Sequence, residues 1–191
     1  MRYDKGHKET TRRHILEVAS RLFRKQGAAA TGLAGVMTEA GLTNGAFYIH
    51  FKSKDDLVRE TVSTALDAQL VNLDVATGSI AGLEAAIRDY LSPRHRDNPG
   101  AGCPTSALIG EIARQPIKTR KTYTERLNGI LDVLAKNLPE RSADARRRDA
   151  ATLFGMMVGI LQLSRAVTDK RQSDLILEDG IEAALMIVNR G

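Results

Sequence analysis

Residues 38–51, TEAGLTNGAFYIHF, complete two short helical stretches, Leu33 to Ala40 and Asn44 to His50, separated by Gly41-Leu42-Thr43. Gly41 suits the left-handed conformation that ends a first helix. Leu42 offers an apolar plug between the helices, and Thr43 is placed to cap the second through a backbone N–H near Gly45 or Ala46. The spacing predicts a helix-turn-helix. In the second helix only Phe47 and Phe51 form an inward i, i+4 pair, so its other side is left for a partner. That side carries Thr43, Asn44, Ala46, Tyr48 and His50, which mixes hydrogen-bonding groups with a methyl, the inventory needed to read base edges and hold phosphates. Gly45 lets this helix approach a surface closely.

The run from Ala40 to Leu57, AGLTNGAFYIHFKSKDDL, resembles the AGV(S/T)xGxxYxHFxxKxxL signature of the TetR family of one-component bacterial transcription regulators. The resemblance covers about the first third of the chain. It implies an all-α fold of about nine helices, with a DNA-binding domain over 9–69, its helix-turn-helix at 32–51, and an effector-binding and dimerisation domain over 70–191. It further implies that Thr43, Asn44 and Ala46 reach base edges while Thr31, Tyr48, His50 and Lys54 hold phosphates. The partners to expect are a double-stranded DNA operator, a second copy of the chain and a small-molecule effector, with no cofactor and no metal. Gly32, Gly35 and Met37 depart from the family's usual residues, and each interior Gly costs about 1 kcal/mol relative to Ala in a helix.

Charge agrees with that placement. The chain of 191 residues has a formal charge of +5, and residues 1–60 hold 11 Lys and Arg against 7 Asp and Glu, while residues 61–191 hold 17 against 16. The basic excess lies with the helix-turn-helix, as a polyanion-binding end requires. A single cysteine, Cys103, excludes an internal disulfide and fits a reducing compartment. No signal peptide or membrane-length apolar run is visible, so a soluble cytoplasmic protein is expected.

In chain order, residues 1–8 read as a polar arm. Apolar residues at helical spacing predict a scaffold helix from about Glu9 to Gln26, stopped by Gly27, and Thr31 is placed to cap the next helix. Ser53-Lys54-Asp55-Asp56 has the capping-box pattern and opens a long helix to about Asp74, the natural lever between the two parts. Further helices are expected at Ile80 to Leu91, Thr105 to Arg114, Ile117 to Leu138, Ser142 to Val167 and Asp174 to Asn189, with a loop from Pro93 to Pro104. Aromatics make up only 4% of the residues and no alternating strand pattern occurs, so the fold class is all-α.

Several features admit two readings. Lys54 opposes the dipole of its helix, which a DNA phosphate would relieve or Asp55 and Asp56 would offset. Arg146-Arg147-Arg148 reads as a solvated face. Gly155 and Gly159 permit a close helix crossing, which the family resemblance places between subunits together with Ile181, Leu185 and Val188; the alternative is room for a ligand. Tyr90, Cys103, Tyr123, Phe154 and Met157 serve either as core or as walls of an effector cavity. Cys103 has no adjoining Lys, Arg or His to activate it, which favours a structural thiol over a redox sensor. An enzyme is poorly supplied, because His7, His14, His50 and His95 share no metal-ligand spacing and no phosphate loop or nucleophile with a recognisable base appears. The expectation is a homodimeric repressor released by an effector; the alternative is a DNA-binding dimer without a ligand.

Overall fold

The computed structural model describes residues 5–139 and 141–189, and among these residues it is built of helices with no strand. The α-helices are α1 (Lys5–Gln26), α2 (Leu33–Glu39), α3 (Asn44–His50), α4 (Lys54–Ala76), α5 (Ile80–Tyr90), α6 (Pro93–Asp97), α7 (Pro104–Ile112), α8 (Ile117–Lys136), α9 (Ala143–Ala166) and α10 (Lys170–Val188), with a single 3-10 turn at Pro99–Ala101. No described helix is long and apolar enough to cross a membrane.

The first three helices enclose a small core because each brings one apolar face to it. Ile15, Ala19 and Phe23 from α1, Val36 and Met37 from α2, and Phe47 and Phe51 from α3 and its C-cap are all buried. Gly27 and Gly41 are the two described residues with positive φ, at +88° and +69°, and each stands at a turn that a side chain with Cβ would strain. Helix α4 packs against α1 at one end and lies along α8 further on, then α8 packs on α9 and α9 on α10. This makes α4 the continuous element between the recognition region and the remaining helices.

Several expectations are corrected. Residues 5–8 continue α1 rather than forming an arm, and the arm's first four residues lie outside the described ones. The 93–104 segment is not a plain loop, because Pro93 and Pro99 begin helical turns, where their missing N–H is no loss. Ser92 caps α6 by accepting from the His95 N–H at 3.2 Å. Helix α10 starts at Lys170, capped by Asp169, four residues before the expected Asp174. Thr31 does not cap α2; the N-cap is Gly32, and the Thr31 hydroxyl donates instead to the Gly27 carbonyl at 2.7 Å. Ser53 does cap α4, accepting from Asp56 N–H, while the Asp56 carboxylate reaches back one residue further than a strict capping box, to the Lys52 N–H.

The α6 segment is strapped to the α9–α10 junction by two arginines. Arg96 is buried and donates to Ser173 Oγ at 2.8 Å and Asp174 Oδ1 at 2.5 Å, with Asp97 beside it. Arg165 donates to the carbonyls of His95 and Arg96 at 2.9 and 3.0 Å, the last acceptors of a short helix, where a cation is favoured. Of the Arg146-Arg147-Arg148 run, Arg147 is no free charge, since it pairs with Asp132 and donates to Asn128 Oδ1, which ties α9 to α8.

The close crossing of α9 and α10 occurs at Gly180, where a Cβ would lie 2.6 Å from Ile160 Cγ2. Gly155 and Gly159, expected to mark a crossing, face open space in this chain. Gly35 likewise has nothing within 4 Å of the Cβ it lacks. Gly35→Ala should therefore stabilise α2 by about 0.5–1 kcal/mol and raise Tm by about 1–4 °C, whereas Gly180→Val should cost about 1–3 kcal/mol by overpacking. Thermal unfolding of the two variants checks the contrast, and equal shifts for both would contradict this packing.

Candidate nucleic-acid interface and ligand cleft

Helix α3 has seven residues, too few to hold together without tertiary anchors. Its anchors are Phe47 and Phe51, whose rings stack at 5.6 Å, with the Arg12 guanidinium 5.0 Å from the Phe51 ring centre. With those rings buried, the opposite side faces outward. Thr43, Asn44 and Gly45 are exposed, Ala46 and His50 are half-buried, and Tyr48 and Ile49 are 72% and 61% exposed. The structure thus places Thr43, Asn44 and Tyr48 on one exposed arc, with Ala46 and His50 at its margins. Thr43 is the N-cap by position, but its side chain makes no cap hydrogen bond, contrary to expectation, and the exposed hydroxyl keeps its capacity for a partner.

Two expected phosphate contacts sit differently. Thr31 is buried and spends its hydroxyl on the α1–α2 turn. Lys54 donates to the Ala29 carbonyl of the same turn at 3.3 Å. His50 is flanked by α1: burial first, then the charges of Lys8 and Arg12, push its imidazole below the usual range against a smaller pull from Glu9, and its Nδ1 is buried without a partner. Sequence reading passed over Ile49, because an apolar residue on a short helix looks like core until the direction of Phe47 is known. It also passed over Glu111, whose carboxylate on α7 accepts the Ala29 N–H at 2.8 Å and fills the space a Cβ at Gly27 would need.

Beyond α1 lies an open cleft of about 800 Å³ between α4, α5 and the 94–104 segment. Tyr90 and Cys103 line it, and a small cavity of about 40 Å³ lined by Tyr90, Phe154 and Met157 adjoins it. Tyr123 borders neither; it is buried with its hydroxyl 3.5 Å from Thr105 Oγ1 and serves as core. Of the residues expected between subunits, Val188 is fully buried within the chain and Ile181 and Leu185 are half-buried, while Leu163 and Met186 are 61% and 64% exposed on the outer faces of α9 and α10.

One wall of the cleft is fixed by His95. Its Nδ1 lies 2.7 Å from the Tyr90 carbonyl, which can only accept, so Nδ1 carries the proton and Nε2 is the acceptor for Cys103 N–H at 2.9 Å. Gly102 is required beside it, because a Cβ there would lie 2.4 Å from Nε2. The Cys103 thiol is buried against the Gln69 amide, whose Nε2 donates to the Cys103 Sγ at 3.3 Å.

Residues 15–61 match the model of the family described as bacterial regulatory proteins, tetR family. Over 59 residues, 31% of this chain, the sequence is 49% identical to the HTH-type transcriptional regulator AcrR of Shigella flexneri. Relatives matched through this region are covered only in part, between 27% and 42% of the length of three of them. The uncharacterized HTH-type transcriptional regulator YxaF of Bacillus subtilis is 28% identical over 88% of this chain and 92% of its own length. In three dimensions the chain is similar to the crystal structure of E. coli NemR in its reduced form, with a TM-score of 0.79, 18% identity and coverage of 95% of this chain and 98% of that one, a likeness of fold.

Burial is the first cause that depresses the His95 pKa, reinforced by Arg165 and Arg94 and opposed by the Tyr90 carbonyl and Asp89. The folded protein therefore refuses a proton that the unfolded chain accepts. Stability is undiminished above about pH 6.5, the unfolded value, and is lost as pH falls below it toward the folded value, at up to about 1.4 kcal/mol per pH unit. Denaturant unfolding from pH 8 to 5 should show that decline, and His95→Gln should flatten it; an unaltered slope in the variant would contradict a buried neutral imidazole.

Proposed function

We propose that the chain, whose residues 15–61 match the tetR family of bacterial regulatory proteins, is a member of that family and a sequence-specific, DNA-binding transcriptional repressor that a small-molecule effector releases from its operator. The observation that carries this reading is the outward arc of α3, an apolar-anchored helix that keeps Asn44, Tyr48 and Ile49 exposed. Its relatives are named as transcriptional regulators, which supports binding rather than catalysis as its activity and the bacterial cytoplasm as its place.

Thr43, Asn44 and Ala46 face base edges in the major groove, and the Ile49 side chain suits a thymine methyl. Tyr48, His50 and Lys54 take phosphates, with Lys8 and Arg12 adding charge beside His50, while Thr31 supports the turn under them. Two copies of the chain would read successive half-sites about 34–36 Å apart. The pairing face is the outer side of α9 and α10, where Gly155, Gly159 and Leu163 recur at four-residue intervals and Met186 lies exposed on the neighbouring helix. Residues 9–69 would form the DNA-binding domain and residues 70–191 the effector and dimerisation domain, with α4 and the Glu111–Ala29 contact passing between them. The effector would occupy the 800 Å³ cleft, a volume suited to a small organic molecule.

Sequencing the DNA that the purified protein retains from a random duplex pool tests the reading, and retention without sequence enrichment would overturn it. On the enriched site, Asn44→Ala should cost about 1–3 kcal/mol, concentrated at one base pair per half-site. Lys54→Ala should weaken specific and random duplexes alike and lower the log–log salt slope by about 1. An unchanged slope removes Lys54 from the interface.

Leu163→Arg tests the pairing face. It should give a folded monomer in sedimentation, with unchanged helical circular dichroism, and a loss of affinity for a two-half-site operator. A variant that remains a tight dimer would move the interface elsewhere.

A further inference from the structure

The charges around the cleft do not cancel. Its acidic side chain, Asp89, is paired with Arg94 at the rim. His95 has both ring nitrogens engaged and is neutral. That leaves Arg24, which comes from α1, is half-buried, and lines the cleft with only its Nε committed, donating to the Gly100 carbonyl at 2.9 Å. No described carboxylate pairs with it. A half-buried guanidinium without a counter-charge is costly, and a carboxylate, sulfonate or phosphate is the group that meets its planar fork.

A second group points the same way. The Tyr90 hydroxyl is buried beside the Cys103 thiol and the Ser106 hydroxyl but completes no well-formed hydrogen bond with either, on a side chain that lines both the cleft and the small cavity next to it. The ring itself is held edge-on against His95, with centroids 4.7 Å apart, so the hydroxyl's position is set rather than free to swing to solvent. The surrounding wall is of small apolar residues, including Ala65, Ala68 and Ala86, which leave room for a flat or extended body.

We propose that the cleft takes an organic anion with an apolar body, its anionic group seated at Arg24 and an acceptor atom of the ligand meeting the Tyr90 hydroxyl. This rests on the reading of the cleft as the effector site, and it gives that site a chemical class. It also gives the signal a short route. Arg24 follows Phe23, which is fully buried in the core under α2 and α3, and its Nε bond to Gly100 joins α1 to the cleft wall. An anion that draws the guanidinium away from Gly100 acts on α1 itself, one turn from the Gly27–Ala29 segment that Glu111 and Lys54 hold.

The test compares two probes that share one aromatic body, 1-anilinonaphthalene-8-sulfonate and its uncharged parent N-phenyl-1-naphthylamine, by fluorescence titration of the full chain. Arg24→Met should weaken the sulfonate by about tenfold or more, the scale of one lost charged hydrogen bond, and leave the neutral probe within about twofold. Arg24→Lys, which keeps the charge but not the planar fork, should restore part of the sulfonate affinity, and its thermal unfolding curve shows whether the fold has been kept. Tyr90→Phe should weaken the sulfonate without altering the fold. Equal losses for both probes, no dependence on Arg24, or no saturable sulfonate binding would each overturn the anion assignment. DNA retention by the unliganded protein is measured separately: Arg24-dependent sulfonate binding without DNA retention would sink the regulator reading alone, and DNA retention with Arg24-independent probe binding would sink the anion site alone.

Discussion

Burial of Phe47 and Phe51 is the constraint on which the recognition region depends. A seven-residue helix cannot repay its own nucleation, so α3 exists because these two rings enter the core beneath it, beside Phe23, Val36 and Met37. The same burial decides what is offered outward. Once Phe47 points in, Asn44, Tyr48 and Ile49 must point out, and the recognition surface is the geometric remainder of a packing choice. Gly41 makes that choice possible, since the turn before α3 needs a φ of +69°, which other residues adopt at a cost.

The second organising feature is the α1–α2 turn. Its Ala29 peptide is held on both sides, with the N–H given to Glu111 of α7 and the carbonyl taken by Lys54 of α4. Thr31 closes the turn from within through Gly27. The turn therefore couples three elements that are far apart in sequence. Arg24, one turn earlier on α1, meets the Gly100 carbonyl on the wall of the cleft. A conformational difference on that wall has two polar contacts by which to bias α1 and its turn, in addition to the long α4 that joins both regions.

The cleft wall is itself built by polar contacts with little redundancy. His95 fixes Cys103 through a single tautomer, Arg165 holds the last carbonyls of α6, and Arg96 is buried against Ser173 and Asp174. Such networks resist rearrangement when every member is satisfied, and the Tyr90 hydroxyl, beside Cys103 and Ser106 without a well-formed hydrogen bond, stands out against them.

Local patterning carried much of this protein by itself. The helix-turn-helix spacing, the inward pair Phe47 and Phe51, the cap at Ser53, the positive-φ turns at Gly27 and Gly41 and the all-α class are local or periodic properties, readable because helix formation and capping depend on neighbours three or four residues apart. What sequence misjudged depended on partners dozens of residues away. Pro93 and Pro99 read as loop signals but begin helical turns, because Arg165 and Arg96 anchor that segment to α9 and α10. Thr31 read as a cap and is a buried tie. Gly155 and Gly159 read as a crossing, yet the crossing within the chain lies at Gly180, since which glycine meets another helix is set by the packing angle and not by the spacing. The sign of charge in the cleft was equally out of reach, because Arg24, Asp89 and Arg94 become neighbours only when α1 is folded back against the 94–104 segment, and only there is one guanidinium left without a carboxylate.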